Sequence, residues 1–262
     1  MRTEDVTPLY RRVVFTSDSF DEGFPIRHFA VSDHVKLFFP HPQTGVLVFP
    51  QITENGWEYP DGAGDPFFRD YTVRDYDADA RELAIDFVLH DHGVAGRWAG
   101  RARPGDEIGQ LGPRGHVVFP SDYPRYLAAG DATALPAIAR LLEEAPEGSR
   151  VTAVIEVESA AEQQRLDVAP GVDADIVWVR RDEAVIADGH LSALETAVRD
   201  VAIAPGERLF VFVAGEAGML KPIRRYLRRE LGLTKEQVDV DGYWKRGVAN
   251  LDHHADADDA DD

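Results

Sequence analysis

Residues 126–144, YLAAGDATALPAIARLLEE, decide how the second half of the chain is read. Four apolar residues at 126–129 run into Gly130 and Asp131, and a helix is expected over 133–144. A buried strand, a tight turn and an amphipathic helix in succession form the opening of a βαβ unit. The alternation continues downstream. Continuous apolar runs predict strands over 151–157, 175–180 and 208–214, with a last strand at 237–243. Helical spacing predicts helices over 191–200 and 216–231. Strands alternating with helices imply a parallel sheet covered on both faces.

Upstream the text changes character. Between residues 10 and 118 the apolar runs are short and broken by Gly, Pro and Asp. Strands are expected over 10–16, 25–32, 35–39, 67–75, 82–89 and 106–109. Many short strands with turn signals between them point to an antiparallel barrel or sandwich. The segment TENGWEYPDGAGDP (53–66) is dense in turn residues and reads as an insertion loop. The boundary between the two patterns falls near 119–123. The expected organisation is an antiparallel β-barrel domain over 1–120, an α/β domain with a parallel sheet over 121–247, and a disordered acidic tail over 248–262.

Composition narrows the function classes. The chain has 262 residues, enough for one large domain or two smaller ones. With 28 Lys+Arg against 47 Asp+Glu, the net charge is −19, which excludes a nucleic-acid binder because phosphate recognition needs a basic footprint. Six of the Asp residues lie in 252–262, and the rest of the chain is still acidic without them. The chain contains no Cys, so disulfides, thiol catalysis, thiolate zinc and cysteine-held iron–sulfur clusters are excluded. No apolar run is long enough for a transmembrane helix, and MRTEDVTPLYRR at the start lacks the apolar core of a signal peptide. A cytoplasmic protein, monomeric or weakly oligomeric, is expected.

Four segments carry candidate chemistry. In the first, Gly130 and Asp131 end a strand and Thr133 stands near a helix start. The same layout recurs in FVFVAGEAGML, around Gly215 and Glu216. Such turns either hold an anion against a helix N-terminus or simply connect a strand to a helix. A G-x-G-x-x-G fingerprint is absent. The second segment is FFRDYTVRD (67–75), where regular alternation puts Arg69 and Tyr71 on one strand face and Thr72 and Arg74 on the other. Either these arginines pair with Asp70 or Asp75, or they clamp a phosphate beside a flat ring.

The third, LHDHGVAGRWAGRARPGD (89–106), reads as a glycine-rich turn entering a short helix that carries Trp98. His90 and His92 have no evident third partner, so no metal site is expected. In the fourth, Leu220, Ile223, Leu227 and Leu231 form the core face of the helix over 216–231. Lys221, Arg224, Arg225, Arg228 and Arg229 occupy its other side, as a solvated face or a basic patch.

These residues together resemble the siderophore-interacting proteins, flavin-dependent ferric-siderophore reductases related to the ferredoxin–NADP reductase superfamily. The resemblance rests on DHVKLFFP (33–40), RDYTVR (69–74), IDFVLHDHGVAGRWA (85–99), GDATALPAI (130–138) and the region from AGEAGML (214–220) to GYWKRG (242–247). It departs from the family after Gly93, where Val94, Ala95 and Gly96 replace a common proline.

The resemblance implies an FAD-binding barrel and an NAD(P)H-binding-like domain. The implied activity passes electrons from NADH or NADPH through non-covalent FAD to a ferric siderophore, releasing Fe(II). A ferredoxin is an alternative donor. By the same resemblance Arg69 clamps the FAD phosphates, Tyr71 packs on the flavin and Thr72 hydrogen-bonds it, with Arg74 in the same motif. His90, Gly93, Trp98 and Ala99 complete the FAD site. Gly130, Asp131, Thr133, Gly215 and Glu216 line the nicotinamide side. Lys36 and Arg246 meet the anionic siderophore, and Trp244 covers a ring. No protein acid, base, nucleophile or resident metal is implied. The rival readings are a general flavin reductase or electron-transfer flavoprotein, and a non-catalytic siderophore-binding protein.

Overall fold

Period-two patterning builds the first sheet of the computed structural model, which describes all residues except 55, 92, 114–116, 184–190 and 249–262. All of the acidic tail beyond Val248, and His92, therefore lie outside the described residues. Six antiparallel strands take the order β1-β2-β7-β6-β3-β8. They are β1 (Arg2–Thr7), β2 (Tyr10–Thr16), β3 (His34–Phe39), β6 (Phe67–Asp77), β7 (Glu82–Val88) and β8 (Gly109–Leu111). A separate hairpin joins β4 (Gln51–Thr53) to β5 (Gly56–Glu58). Alternate residues of four strands form the core, among them Val13, Val35, Leu37, Val73, Leu83 and Ile85.

The short helix α1 (Val94–Ala99) closes this core with Trp98. The indole lies 6.0 Å from Phe15 of β2, 5.5 Å from Phe39 of β3 and 6.0 Å from Phe87 of β7. In a flat sheet β2 and β3 would stand about 14 Å apart, three strand spacings. Their meeting on one ring shows that the sheet curls barrel-fashion around α1.

Three upstream expectations change. Residues 25–32 form turns, not a strand: Phe29 has φ 58, outside the extended region, and the turn drives Phe29, Ala30 and Val31 into the interior. Residues 106–108 are also not strand, because Asp106 closes a turn on Arg103 and β8 begins only at Gly109. The segment 53–66 is not a plain loop. Trp57 of β5 packs against Phe38, which is fully buried, at 5.9 Å, and Phe49 meets the same ring at 5.1 Å. The hairpin region thus covers an apolar face of β3.

The second sheet is wholly parallel, with strand order β11-β10-β9-β12-β13. Its strands are β9 (Arg125–Gly130), β10 (Arg150–Val157), β11 (Asp173–Arg180), β12 (Leu209–Glu216) and β13 (Val238–Trp244). All eight residues of β12 are buried, as continuous apolar text predicts for a strand with both faces covered. The helices are α2 (Leu135–Glu144), α3 (Ala193–Asp200) and α4 (Ala217–Arg225). Ser192 caps α3 by accepting from Glu195 N at 3.0 Å.

The helix expected over 216–231 is not uniform. It contains Pro222, and Tyr226–Glu230 form a wider π turn closed by Leu231 N donating to Tyr226 O. Its cations are largely solvated, as one of the two readings had it: Lys221, Arg225, Arg228 and Arg229 are exposed and Arg224 is half-buried. Arg224 donates to the Val240 carbonyl and Arg228 to that of Leu233. The chain separates into two compact units, Met1–Val117 and the residues from Val118 onward.

Candidate functional site

In the parallel sheet the strand order reverses between β9 and β12, and ligands of open α/β sheets bind beyond the carboxyl ends of the strands at such a switch point. Gly130-Asp131 and Gly215-Glu216 stand at those two ends. Asp131 is 3% exposed and accepts four hydrogen bonds. Its Oδ1 receives Thr133 N at 2.9 Å and Thr133 Oγ1 at 2.6 Å. Its Oδ2 receives Glu216 N at 3.0 Å and Trp244 Nε1 at 2.9 Å.

Glu216 in turn caps α4, accepting from Met219 N at 2.8 Å, and its other oxygen accepts from Arg246 N at 3.1 Å. Residues expected to contact two different ligands, Asp131 and Glu216 with Trp244 and Arg246, are therefore one network. It ties the ends of β9, β12 and β13.

The glycines of these turns serve the same packing. A Cβ at Gly130 would lie 2.3 Å from the Ala214 carbonyl and 2.5 Å from the Ala134 methyl. Gly215 has φ 145, and a Cβ there would meet the Asp131 carboxylate at 2.8 Å. Both positions are small because protein atoms already fill the space. The atoms that approach are the Ala214 carbonyl, the Ala134 methyl and the Asp131 carboxylate. At the far side of the same edge, Arg181 holds the buried Glu156 at 2.7 Å. Burial disfavours its charge, yet Glu156 and Asp131 together keep the guanidinium above the usual arginine value.

In the first unit the register of β3 against β6 sorts the motif residues by face. Leu37 opposes Arg69 and Val35 opposes Tyr71, so Arg69 and Tyr71 lie on the face of the core residues. The Tyr71 ring packs 4.4 Å from Phe87, and burial pushes its phenol up while Arg69 pulls it down. Arg69 Nη1 donates to the Phe68 carbonyl at 2.5 Å. Thr72 is 7% exposed. The register shifts between Val73 and Asp75, so a bulge at Arg74 interrupts the alternation that would pair Arg74 with Thr72.

Lys36 opposes Asp70, and its Nζ donates to Asp70 Oδ1 at 2.6 Å while lying 4.6 Å over the Phe68 ring. The expected siderophore cation thus has a carboxylate partner within the protein.

The loop into α1 is shaped around His90. A Cβ at Gly96 would stand 3.0 Å from His90 Nε2, one at Gly93 would stand 3.3 Å from Cε1, and Gly93 has φ 80. Only glycines let this imidazole lie over the turn. Trp98 packs on three core rings and Ala99 is fully buried, so Ala99 has no exposed surface to offer a cofactor. The remaining donors, Arg69, Thr72, Arg74 and His90, with the Tyr71 ring among them, suit a cofactor that is both anionic and aromatic. FAD meets both requirements. Among the described residues no group of three or more His, Asp or Glu is placed to hold a metal.

Comparison with known proteins agrees with this division. The siderophore-interacting FAD-binding domain matches residues 1–117, and the siderophore-interacting protein family matches residues 123–247. The NADPH-dependent ferric-chelate reductase of Escherichia coli K12 is 35% identical over 247 residues, covering 93% of this chain and 90% of that protein. Ferric vibriobactin reductase ViuB of Vibrio cholerae is 31% identical over 258 residues, covering 97% of this chain and 90% of that protein. A crystal structure of a siderophore utilization protein from T. fusca superposes with a TM-score of 0.85 at 46% identity, covering 97% of this chain and 93% of that one.

Proposed function

The chain belongs to the siderophore-interacting protein family, and from that premise we propose that it is an NADPH-dependent ferric-siderophore reductase that uses FAD. One observation carries the reading. A single chain joins an FAD-binding domain, with Arg69 and Tyr71 on one strand face, to a parallel sheet whose switch point is built by Asp131. The reductase names of the Escherichia coli and Vibrio cholerae relatives support the same conclusion.

Bound FAD supplies the conversion between the two electrons of a hydride and the single electron each ferric ion accepts. One NADPH therefore reduces two ferric ions, yielding NADP⁺, a proton and two ferrous ions. The chain's own residues position the reactants. Arg69 and Arg74 neutralise cofactor phosphates, Thr72 offers a hydroxyl, and Tyr71 presents a ring whose phenol stays protonated at neutral pH. The Asp131 network holds the ends of three strands in register for the nicotinamide. Lys36 supplies positive charge toward the anionic chelate. Electron transfer to the iron requires no protein acid, base or nucleophile.

We assign NADPH rather than a ferredoxin as donor, because a chain of charge −19 repels an acidic protein partner. We place the reaction in the cytoplasm, where NADPH is supplied. The test is spectroscopic. FAD-loaded protein under anaerobic conditions is expected to bleach in the flavin band with NADPH. It should recover on addition of a ferric siderophore, with two Fe(II) trapped per NADPH. Failure to take up FAD, or bleaching without recovery, overturns the proposal. Recovery with free flavin or quinone alone makes it a general flavin reductase.

A further inference from the structure

Lys36 is one of only four lysines in the chain, and it is already paired. The antiparallel register puts residues 36 and 70 directly opposite, and the resulting ion pair measures 2.6 Å. Both side chains are largely withdrawn from water, Lys36 at 25% exposure and Asp70 at 17%. Solvent therefore screens the pair incompletely. The ammonium also rests over the Phe68 ring, which leans on Phe38 at 5.3 Å. The cation is thus held in a fixed place between a carboxylate and an aromatic face.

We propose that Asp70 sets the charge selectivity of the chelate site. This rests on the reductase reading and on Lys36 as the cation that meets the substrate. An ammonium has three protons, and one is committed to Asp70. An anion that takes another must approach with the Asp70 carboxylate close by. The repulsion from that carboxylate grows with the negative charge of the chelate, while a neutral chelate feels little of it. Asp70 therefore favours weakly charged ferric chelates and penalises highly anionic ones. It also keeps a half-buried lysine from standing unpaired, which is costly in a chain without that partner.

The experiment compares a trianionic ferric tris-catecholate with a neutral ferric tris-hydroxamate on the FAD-loaded protein. kcat and KM are measured for both, and binding is followed separately by tryptophan fluorescence without NADPH. Asp70→Asn keeps an acceptor for Lys36 and removes the charge. It is expected to raise the affinity ratio, trianion over neutral, by about three- to tenfold, through KM rather than kcat, with the gain shrinking in high salt. Lys36→Gln removes the ammonium that faces Asp70 and is expected to lower the ratio. The double variant is expected to return near the parent ratio.

If Asp70→Asn fails to fold, Lys36→Gln decides, since an unchanged ratio there overturns the proposal. An unchanged ratio in a folded Asp70→Asn protein overturns it too, while the reductase reading stands if the parent reduces both chelates. A parent protein that reduces neither chelate overturns the reductase reading, and the fluorescence ratios still decide the role of Asp70. Binding of neither chelate overturns both.

Discussion

The carboxyl edge of the parallel sheet and the β3–β6 pair of the first unit both gather charged residues that resemblance assigns to ligands, yet they treat charge in opposite ways. At the sheet edge Asp131 is buried and its four hydrogen bonds all come from the protein. The carboxylate is spent on fixing backbone positions. On β3–β6 the cations Lys36, Arg69 and Arg74 are half-buried, and Lys36 is held by one carboxylate and one ring. The lesson is that a polar residue at a ligand-binding edge acts through geometry when protein donors saturate it. It acts through charge when it retains capacity for another partner.

The largest effect is expected at the saturated side. Asp131→Ala strands the Glu216 amide and the Trp244 indole N–H, both donors to this carboxylate. Unfolding in urea should report a loss of about 3–5 kcal/mol, the range for breaking a buried charged network. A loss below about 1 kcal/mol would mean that water replaces the network and that Asp131 does not fix these strand ends.

On the other side, Arg69→Ala should leave stability nearly intact and weaken FAD binding by about 1.5–3 kcal/mol, as for one charge-assisted hydrogen bond. Titration of apoprotein with FAD checks this. Equal losses of stability and affinity would make Arg69 another packing residue.

The smallest effect is expected on β13 of the second unit. Burial and the neighbouring Asp241 raise the Asp239 carboxyl to about 6, against a counter-pull from Arg224. A carboxyl raised on folding binds its proton more tightly in the native state. Wild-type stability therefore falls as pH rises from about 4 through about 6, and the cost is complete at pH 7. Asp239→Asn should stabilise the protein at pH 7 by roughly 1–2 kcal/mol, and the gain should vanish near pH 4. Thermal melts across that range test the sign. A gain that persists at pH 4 would point to packing instead of charge.

Much of the fold could be read from residue pattern. Alternation exposed β2, β3, β6 and β7, and continuous apolar text exposed β9, β10 and β12. Other elements were hidden for identifiable reasons. β1, RTEDVT, carries little apolar signal because it is an edge strand paired only with β2. Residues 25–32 are apolar enough for a strand, but a positive φ at Phe29 turns them inward. The hairpin of β4 and β5 looked like loop because turn residues outnumber its few paired ones. Of the candidate site, the motif residues were visible and their partners were not. Trp244 donates to Asp131 across 113 positions of sequence, which no local pattern can disclose.

Residue pattern alone fixes the two architectures and rules out cysteine chemistry, and its motifs carry the likeness to a flavin-dependent reductase family. These follow from periodicity and residue type, which act locally. The role of each site residue emerges in the folded chain: Gly130 and Gly215 make room for protein atoms, Asp131 accepts four hydrogen bonds from the protein, Ala99 belongs to the core, and Lys36 pairs with Asp70. Hydrogen bonds and ion pairs depend on ångström-scale distances between residues far apart in the chain, and those distances exist only once the strands have taken their order.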